Sequence, residues 1–348
     1  MLGARAISLA TDSRFGHTAA SMTDPVTSSL AESELALRAT DLGRRFGDRW
    51  AVRGIHLEVR RGEVLVLHGP NGAGKTTTVR LLTALIEPSE GTAAVDGFDV
   101  REQPEDVRAR VGILTETPGL YDKLSASANL DFFARLYGLD AATRAERIER
   151  YLRLFSLWER RDDVAGTFSK GMKQKLAIAR ALLHDPSVVF LDEPTAALDP
   201  EAAFIVREAI ETLRKGGRTI VLATHNLDEA DRLCDRIAFV RGGLLRVDSP
   251  ARLRGELGAR GLAIRLAGPA SDALLGTVRA VPGVGVVQSV DGTVRVGVEE
   301  PDAIAPAVVR AVVAGGGDVI EVRVERTSLE QIYFDVMGIR PAADEDVA

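Results

Sequence analysis

The sequence predicts an α/β protein in two parts: a parallel sheet wrapped by helices, with a helical segment inserted into it, and a smaller α+β domain at the carboxyl end. Three apolar runs predict central strands, because each has four or more consecutive apolar residues and ends in Gly, an acid or His. They are EVLVLHG, SVVFLDE and RTIVLATH, at residues 63–69, 187–193 and 218–225. Ligands of such sheets bind beyond the carboxyl ends of the strands, so the polar residues that close these runs are candidates for a functional site.

Size and composition are typical of a globular protein with two domains. The chain has 348 residues, 45% of them hydrophobic and 27% charged, and a net charge of −6 with both signs mixed. Nucleic acid is therefore not an expected partner. No run of about 18 apolar residues occurs, so no membrane-spanning helix is predicted. The single cysteine, Cys234, excludes an internal disulfide and is typical of a reducing compartment.

The predicted domains follow changes in composition and pattern along the chain. Residues 1–33 are rich in Ser, Thr and Ala, lack the unbroken apolar run of a signal peptide, and are expected to form a tail. The main α/β domain is expected over residues 34–248, with the inserted, mostly helical segment over about 103–184. A C-terminal α+β domain is expected over residues 249–340, followed by a short tail over 341–348.

The strongest motif is GPNGAGKT, at residues 69–76, which fits G-x-x-x-x-G-K-[ST] directly after a predicted strand and before a helix. Its glycines let the backbone fold around phosphate oxygens, while successive N–H groups and the helix N-terminus supply positive potential. Lys75 is expected to reach the β- and γ-phosphates of a nucleotide, and the Thr76 hydroxyl to bind Mg²⁺. The predicted nucleotide-binding residues of this loop, called the P-loop below, and of the following helix start are Gly69, Pro70, Asn71, Gly72, Ala73, Gly74, Lys75, Thr76 and Thr77.

Two adjacent acids and one histidine close the other two strands. Asp192 is predicted to hold Mg²⁺, directly or through water, and Glu193 to take a proton from the attacking water. Paired acids after a strand also cap helices, but beside a P-loop the catalytic interpretation is favoured. His225 is predicted to contact the γ-phosphate and help to place the water, with a helix-capping or core histidine as the alternative. Lys75, Glu193 and His225 are thus the predicted catalytic residues.

These motifs, in this order over about residues 35–248, resemble the ATP-binding subunits of ABC transporters. The resemblance implies a P-loop NTPase fold that binds ATP and Mg²⁺, dimerises on ATP and drives a membrane permease. The segment FSKGM stands where the family has its signature loop, usually Leu-Ser-Gly-Gly-Gln. Ser169 and Gly171, at the front of a helix with an apolar stripe, are therefore expected to face the γ-phosphate of ATP held by a second subunit. A simple Ser helix cap would explain Ser169 but not Gly171.

The resemblance implies further site residues. Phe46, or else Trp50, is the expected aromatic residue that stacks on adenine. Asp199, in AALD, is expected at the interface of the two subunits, although an Asp before a proline also starts helices. Glu116 stands where the family most often has Gln, in the loop that senses Mg²⁺ and the attacking water. An acid can still bind Mg²⁺ through oxygen, so Glu116 is a third predicted metal ligand, and its negative charge would change how strongly the loop responds to nucleotide.

The resemblance also implies partners and a location. Lys170 and Met172 in the signature segment resemble the branch that serves exporters with a separate membrane polypeptide, and the C-terminal ending resembles that of ATPases of daunorubicin-type exporters. The expected partners are an ABC-2 type permease and a second ATPase subunit. For that subunit, a second copy of this chain is favoured over a different ATPase. The expected location is the cytoplasmic face of a bacterial membrane, reached through the permease.

Two other function classes remain open from the sequence. A soluble relative that acts in translation or nucleic-acid repair usually has two nucleotide-binding units or long coiled-coil arms. This chain has one such unit and no sustained heptads. A P-loop kinase or GTPase lacks support, because the Asn-Lys-x-Asp guanine motif does not occur and the signature segment would have no role.

The C-terminal domain is predicted from periodicity as strand, helix, strand, DG turn, strand, helix and strand over residues 262–324, the split β-α-β-β-α-β pattern of ferredoxin-like domains. The following segment TSLEQIYFDVMG predicts an amphipathic helix with Leu329, Ile332, Tyr333 and Val336 on one face. That face is expected to pack on its own sheet, the partner subunit or the permease. Without a cluster of acids, histidines or cysteines, the domain is expected to dock or regulate, and all ATP chemistry to lie before residue 249.

Overall fold

The computed structural model of the chain describes residues 32–257, 260–298 and 300–339. The C-terminal tail and nearly all of the N-terminal tail lie outside these ranges. The described residues belong to one compact unit, so a domain boundary near residue 248 stays a prediction. Within the described ranges, the helices are all too short or too polar to span a bilayer.

Strands and helices alternate along most of the described chain. The strands are β1 (Leu35–Phe46), β2 (Arg49–Arg60), β3 (Val64–His68), β4 (Glu90–Val95), β5 (Phe98–Asp99), β6 (Val111–Leu114), β7 (Val188–Asp192), β8 (Thr219–Thr224), β9 (Arg236–Val240), β10 (Leu244–Asp248), β11 (Arg260–Leu266), β12 (Val284–Val290), β13 (Thr293–Val298) and β14 (Val319–Arg326). The helices are α1 (Lys75–Leu82), α2 (Pro104–Arg110), α3 (Ala126–Leu136), α4 (Ala141–Leu154), α5 (Lys170–Leu182), α6 (Pro200–Lys215), α7 (Leu227–Leu233), α8 (Pro250–Leu257), α9 (Asp272–Arg279), α10 (Pro301–Ala314) and α11 (Leu329–Met337).

The central sheet has the order β10-β9-β3-β8-β7-β6 and is parallel except for β10. The three apolar runs are β3, β8 and β7, side by side in the middle of the sheet, as predicted. Alternate residues of β3 face opposite sides: Val64 and Val66 join one apolar cluster, and Leu65 and Leu67 join the other. Burial on both faces explains why these strands are continuously apolar. Their carboxyl ends, which carry the predicted site residues, lie together at one edge of the sheet.

The segment predicted as a helical insertion also supplies a strand. Its residues form α2 to α5, but Val111–Leu114 pairs in parallel with β7 as the edge strand β6. The prediction of a mostly helical insertion was therefore incomplete, because part of this segment belongs to the central sheet. A four-residue apolar run between helices is too short for periodicity to distinguish from a helix, and only its pairing with β7 decides its conformation.

A second, antiparallel sheet of order β2-β1-β4-β5 packs on the face of the central sheet that carries α1. The other face is covered by the helices that follow β6. This arrangement leaves the P-loop between two layers, with β2 directly behind it: a side chain added at Gly74 would lie 2.2 Å from Val52 Cγ1.

The C-terminal sheet has the order β12-β13-β11-β14, antiparallel throughout, with α9 and α10 packed on it. The element order and sheet order are those of a split β-α-β-β-α-β fold, as the sequence predicted. Asp291 (φ 48°) and Gly292 (φ 73°) make the predicted hairpin turn. Because both residues have positive φ, the turn needs the Asp-Gly pair that tolerates this conformation.

The last helix, α11, leaves this sheet and packs on the main domain. Leu329 and Ile332 are buried in the apolar cluster that contains β3, α7 and β9, and Tyr333 and Val336 pack against the same cluster. The predicted apolar face of the helix is therefore correct. Its packing surface is the main domain of the same chain, which was not among the three surfaces expected.

Candidate nucleotide-binding site

A cavity of about 510 Å³ lies where β3 and β7 end. It is lined by the P-loop, the loop after β7, the loop after β6, the start of β2 and the front of α5. The lining residues are Ala51, Asn71, Gly72, Ala73, Gly74, Lys75, Thr76, Thr77, Glu116, Lys170, Gln174, Asp192, Glu193 and Ala196. The predicted residues Gly69 and Pro70 contribute to the loop but not to this lining.

The P-loop has a backbone that requires glycine at two positions. Gly74 has φ 104°, and an added Cβ would also lie 2.9 Å from the Ala51 carbonyl oxygen. At Gly69 an added Cβ would lie 2.4 Å from the carbonyl oxygen of Val240. The resulting cradle of main-chain N–H groups at the start of α1 fits a phosphate group.

Lys75 is buried beneath this cradle. Its Nζ donates hydrogen bonds to the carbonyl oxygens of Gly69, at 2.6 Å, and Pro70, at 3.2 Å. Burial lowers the pKa of Lys75, although the charges of Glu193 and Asp192 oppose this shift. Since the described hydrogen-bond partners of the ammonium are neutral carbonyls, an anionic phosphate would stabilise it further.

Asp192 and Thr76 provide two oxygens at one point of the cavity. Thr76 Oγ1 donates to Asp192 Oδ2 at 2.8 Å. Burial raises the pKa of Asp192, and the charges of Glu193 and Glu116 add to this effect, while the Thr76 bond and Lys75 oppose it. A hydroxyl and a carboxylate are ligands that suit Mg²⁺, which usually completes its shell with water and phosphate oxygens. Within the described ranges no three His, Cys, Asp or Glu side chains group as a metal site.

Glu193 occupies a strained backbone position beside the predicted histidine. Its φ is 49°, in the left-handed region, which costs about 1–2 kcal/mol for a non-glycine residue. The Glu193 main-chain N–H donates to Ala223 O at 2.8 Å, which ties the residue to the end of β8. Glu193 Oε1 and His225 Nδ1 are 2.7 Å apart. His225 is exposed and does not line the cavity, but this bond joins it to Glu193, which does.

Ser169 and Gly171, the two predicted residues of the signature segment, both have structural roles within their own chain. Ser169 caps α5, since its hydroxyl oxygen accepts the main-chain N–H three residues later, at 3.2 Å. Gly171 is buried against α6, where an added Cβ would lie 2.9 Å from Ala202 Cβ. Asp199 caps α6 through a 2.8 Å bond from Ala202 N. Of this segment it is Lys170, not Ser169 or Gly171, that lines the cavity of the same chain.

The two aromatic candidates for adenine stacking lie outside the cavity lining. Phe46 is 50% exposed at the end of β1, with the Arg44 guanidinium 4.8 Å from its ring centre. Trp50 has the Arg53 guanidinium 4.7 Å from its ring centre. Ala51, the next residue along β2, does line the cavity. Adenine stacking by either ring therefore remains a prediction, and an arginine already lies over one face of each ring.

One buried acid behind the site was not predicted from the sequence. Glu229, on α7, is 4% exposed, and burial raises its pKa. Its carboxylate accepts from Thr195 Oγ1 at 2.6 Å and from Thr224 Oγ1 at 3.2 Å. Thr195 follows Glu193 by two residues and Thr224 precedes His225, so Glu229 ties together the loops that carry both. No local pattern reveals it, because its burial depends on how α7 packs.

We expect Glu229→Ala to lower the free energy of unfolding by about 1–3 kcal/mol, because the hydroxyls of half-buried Thr195 and buried Thr224 lose a carboxylate acceptor. Urea denaturation measures this loss. Asp228→Ala removes an exposed acid from the same helix and should change stability by about 0.5 kcal/mol or less. Equal losses in the two variants would contradict the bridging role of Glu229.

Comparisons with known proteins agree with this geometry. A profile of the ABC transporter family matches residues 52–196. The ABC transporter ATP-binding protein NatA of Bacillus subtilis (strain 168) is 44% identical over 210 residues, 59% of this chain and 85% of the relative. The daunorubicin resistance ATP-binding protein DrrA3 of Streptomyces coeruleorubidus is 34% identical over 310 residues, 88% of this chain and 97% of the relative. A solved structure of an ATP-binding subunit of an ABC transporter superposes with a TM-score of 0.60 and 33% identity, covering 64% of this chain and 93% of the other.

Proposed function

Because the chain belongs to the ATP-binding proteins of ABC transporters and is an ATPase of that family, we propose that it is the ATP-hydrolysing motor subunit of an exporter. The observation that carries this proposal is the meeting of the P-loop with two acid-bearing strand ends: Thr76 Oγ1 lies 2.8 Å from Asp192 Oδ2, and Glu193 lines the same cavity. These are the groups that phosphoryl transfer to water requires.

Nucleotide binding follows from the groups around the cradle. The Lys75 ammonium exchanges its carbonyl partners for oxygens of the β- and γ-phosphates, which are stronger acceptors because they are charged. Thr76 Oγ1 and Asp192 would hold Mg²⁺, whose charge neutralises the phosphate oxygens. Glu116 lines the same cavity and is the third proposed ligand. Phe46 or Trp50 would stack on adenine.

Hydrolysis requires a base beside the γ-phosphate. Glu193 lines the cavity and is held by His225 at Oε1, so its carboxylate is the group that would receive the proton of the attacking water. The water oxygen then forms a bond to the γ-phosphorus while the bond to the β,γ-bridging oxygen breaks. An ionised carboxylate only accepts hydrogen bonds, so His225 Nδ1 is the donor in its contact with Glu193, which orients the ring beside the base.

A second subunit would complete each site. We propose that Ser169 and Gly171 of one chain face the γ-phosphate bound by another copy, as the family resemblance implies. Ser169 is exposed and opens a helix of 13 residues, so its N-terminus can offer N–H groups and positive potential to an anion on a neighbouring molecule. Asp199, which begins the next helix, lies beside Gly171 and belongs to the same proposed interface.

Ser169→Arg, made in a Glu193→Gln background so that ATP persists, should bind ATP with near-normal affinity but form little ATP-dependent dimer. The larger cation occupies the space that the partner's phosphate needs. Light scattering with and without ATP measures the dimer. Ala142→Arg is the matched control, because it adds the same charge at the exposed first turn of α4. Dimers of Ser169→Arg as abundant as those of the control would show that the segment serves another purpose.

The proposed membrane partner is an ABC-2 type permease on a separate polypeptide, with this chain at the cytoplasmic face of a bacterial membrane. The alignment with a daunorubicin resistance ATP-binding protein supports this, because a match over 88% of the chain must extend well into the C-terminal domain. Roles in translation or nucleic-acid repair are not favoured by any of these relatives. Co-purification with a permease from solubilised membranes tests the partner, and consistent recovery of the chain from a complex with no membrane protein would contradict it.

A further inference from the structure

The last helix of the chain reaches the residue that precedes the P-loop. The ring of Tyr333, on α11, meets the ring of His68 edge to face, with ring centres 5.0 Å apart at 86°. Phe239, on β9, meets His68 in the same way at 5.9 Å and 89°. The Phe239 and Tyr333 ring centres are 6.1 Å apart. His68 ends β3 and Gly69 begins the loop, so this three-ring cluster lies at the loop's first residue.

Hydrogen bonds also connect α11, through Arg241 and Gly242, to the middle of the P-loop. Arg241 Nη1 donates to the carbonyl oxygen of Met337, at the end of α11, at 3.2 Å. The neighbouring Gly242 N–H donates to the carbonyl oxygen of Ala73, inside the loop, at 2.8 Å. The docked α11 therefore contacts His68, where the chain enters the loop, and Arg241, which lies next to the residue that supports the middle of the loop.

The His68 ring is held by the packing of the two aromatic rings and by a hydrogen bond with the main chain of Thr224. The residue is 3% exposed, and its Nδ1 has no hydrogen-bond partner among the described residues. Burial lowers the pKa of His68 to about 4, with the charge of Lys75 adding to the shift, so the ring is neutral at neutral pH. The Lys75 ammonium is bonded to Gly69 O at 2.6 Å, one residue from His68. Movement of the His68 ring would thus displace the acceptor that orients Lys75.

We propose that Tyr333 is a positioning residue for the P-loop: by holding His68 it makes nucleotide affinity depend on the docking of the C-terminal helix. The proposal rests on the ATP-binding function proposed above. It places a determinant of nucleotide binding beyond residue 248, where none was expected. It also makes the C-terminal segment part of the ATPase unit, because removal of α11 would uncover the side of β3 that supports the loop.

The test is the affinity of the full chain for Mg-ADP, which avoids hydrolysis. Tyr333→Ala should weaken the Kd about 3- to 10-fold, the range expected when an aromatic pair is lost. Tyr333→Phe keeps the ring and should bind as the unchanged chain does. In ATPase assays Tyr333→Ala should raise KM by a similar factor and leave kcat within about two-fold. An unchanged Kd in Tyr333→Ala, or a fall in kcat alone, would overturn the proposal.

A matched control separates positioning from general loss of stability. Val278→Ala removes buried volume from the C-terminal domain's own cluster, which contains none of the three rings. It should leave nucleotide affinity unchanged, and a loss as large as that of Tyr333→Ala would also overturn the proposal. If the unchanged chain bound no nucleotide, the proposed function itself would be wrong. If the unchanged chain bound nucleotide normally and Tyr333→Ala bound it equally well, only the positioning role of Tyr333 would be wrong.

A second measurement needs no variant. Coupling between two sites is reciprocal, so Mg-ADP should stabilise the docked α11. Amide hydrogen exchange in residues 329–337 should slow when the nucleotide binds, while exchange in α9, in the same C-terminal domain, should stay constant. Equal exchange in α11 with and without nucleotide would count against the coupling even if Tyr333→Ala failed to fold.

Discussion

Glu193→Gln should lower ATP turnover about 10³-fold and leave ATP affinity nearly unchanged, because the amide keeps the shape of the side chain but cannot accept a proton from water. The variant should also accumulate as an ATP-bound dimer, since binding proceeds and hydrolysis does not. Phosphate release measures turnover, and equilibrium binding of ATP measures affinity. The 2.7 Å contact with His225 survives as an ordinary hydrogen bond to the amide oxygen, so the local structure should persist.

Glu208→Gln is the control for this change. Glu208 is an exposed acid on α6, so the variant loses the same charge without touching the cavity, and its turnover should match that of the unchanged chain. Turnover within a few-fold of normal in Glu193→Gln would remove Glu193 from the role of base.

Lys75→Ala should weaken ATP binding about 10²-fold, or roughly 3 kcal/mol, because it deletes charge-assisted contacts to phosphate oxygens. The effect differs from that of Glu193→Gln in kind: binding is lost first, and turnover falls because the site is empty. Folding should be affected little, since the buried ammonium is unfavourable by itself and its pKa is already lowered by burial. Titration calorimetry with ATP and Mg²⁺ measures the affinity.

Lys215→Ala serves as its control, because Lys215 is an exposed cation at the end of α6 that pairs with Glu211. Its ATP affinity should be unchanged. If Lys75→Ala bound ATP as tightly as Lys215→Ala, the P-loop would not be the nucleotide site.

Several features of the site could be predicted because they depend on short stretches of chain. The P-loop could be recognised because its glycines and its Lys-Thr pair lie within eight residues of one another, although β2 and β9 supply the atoms that a side chain at Gly74 or Gly69 would meet. Ser169 and Asp199 cap helices through bonds to residues three positions later, which periodicity and cap chemistry anticipate. The apolar spacing of α11 predicted its buried face correctly.

Other features depend on segments distant in sequence. From the sequence, Gly171 was explained only by a role at the γ-phosphate of a second subunit, whereas in the structure α6 also passes so close that a side chain there would collide with Ala202. In the sequence Glu229 is an ordinary helical acid. Only the packing of α7 places its carboxylate between the hydroxyls of Thr195 and Thr224. The strand β6 was missed because its four residues form a strand only through pairing with β7.

By itself the sequence determined the class of the protein, the nucleotide loop and the acids at the strand ends, because turn chemistry and apolar periodicity act over a few residues and are written directly in residue types. The tertiary structure alone decided which surfaces meet. The sequence of an amphipathic helix specifies that one face must be buried, but not the surface that buries it. The contact between Tyr333 and His68, which lies 265 residues earlier, could therefore not be inferred from either segment. That choice is made by shape and packing across the whole molecule, for which no local pattern exists.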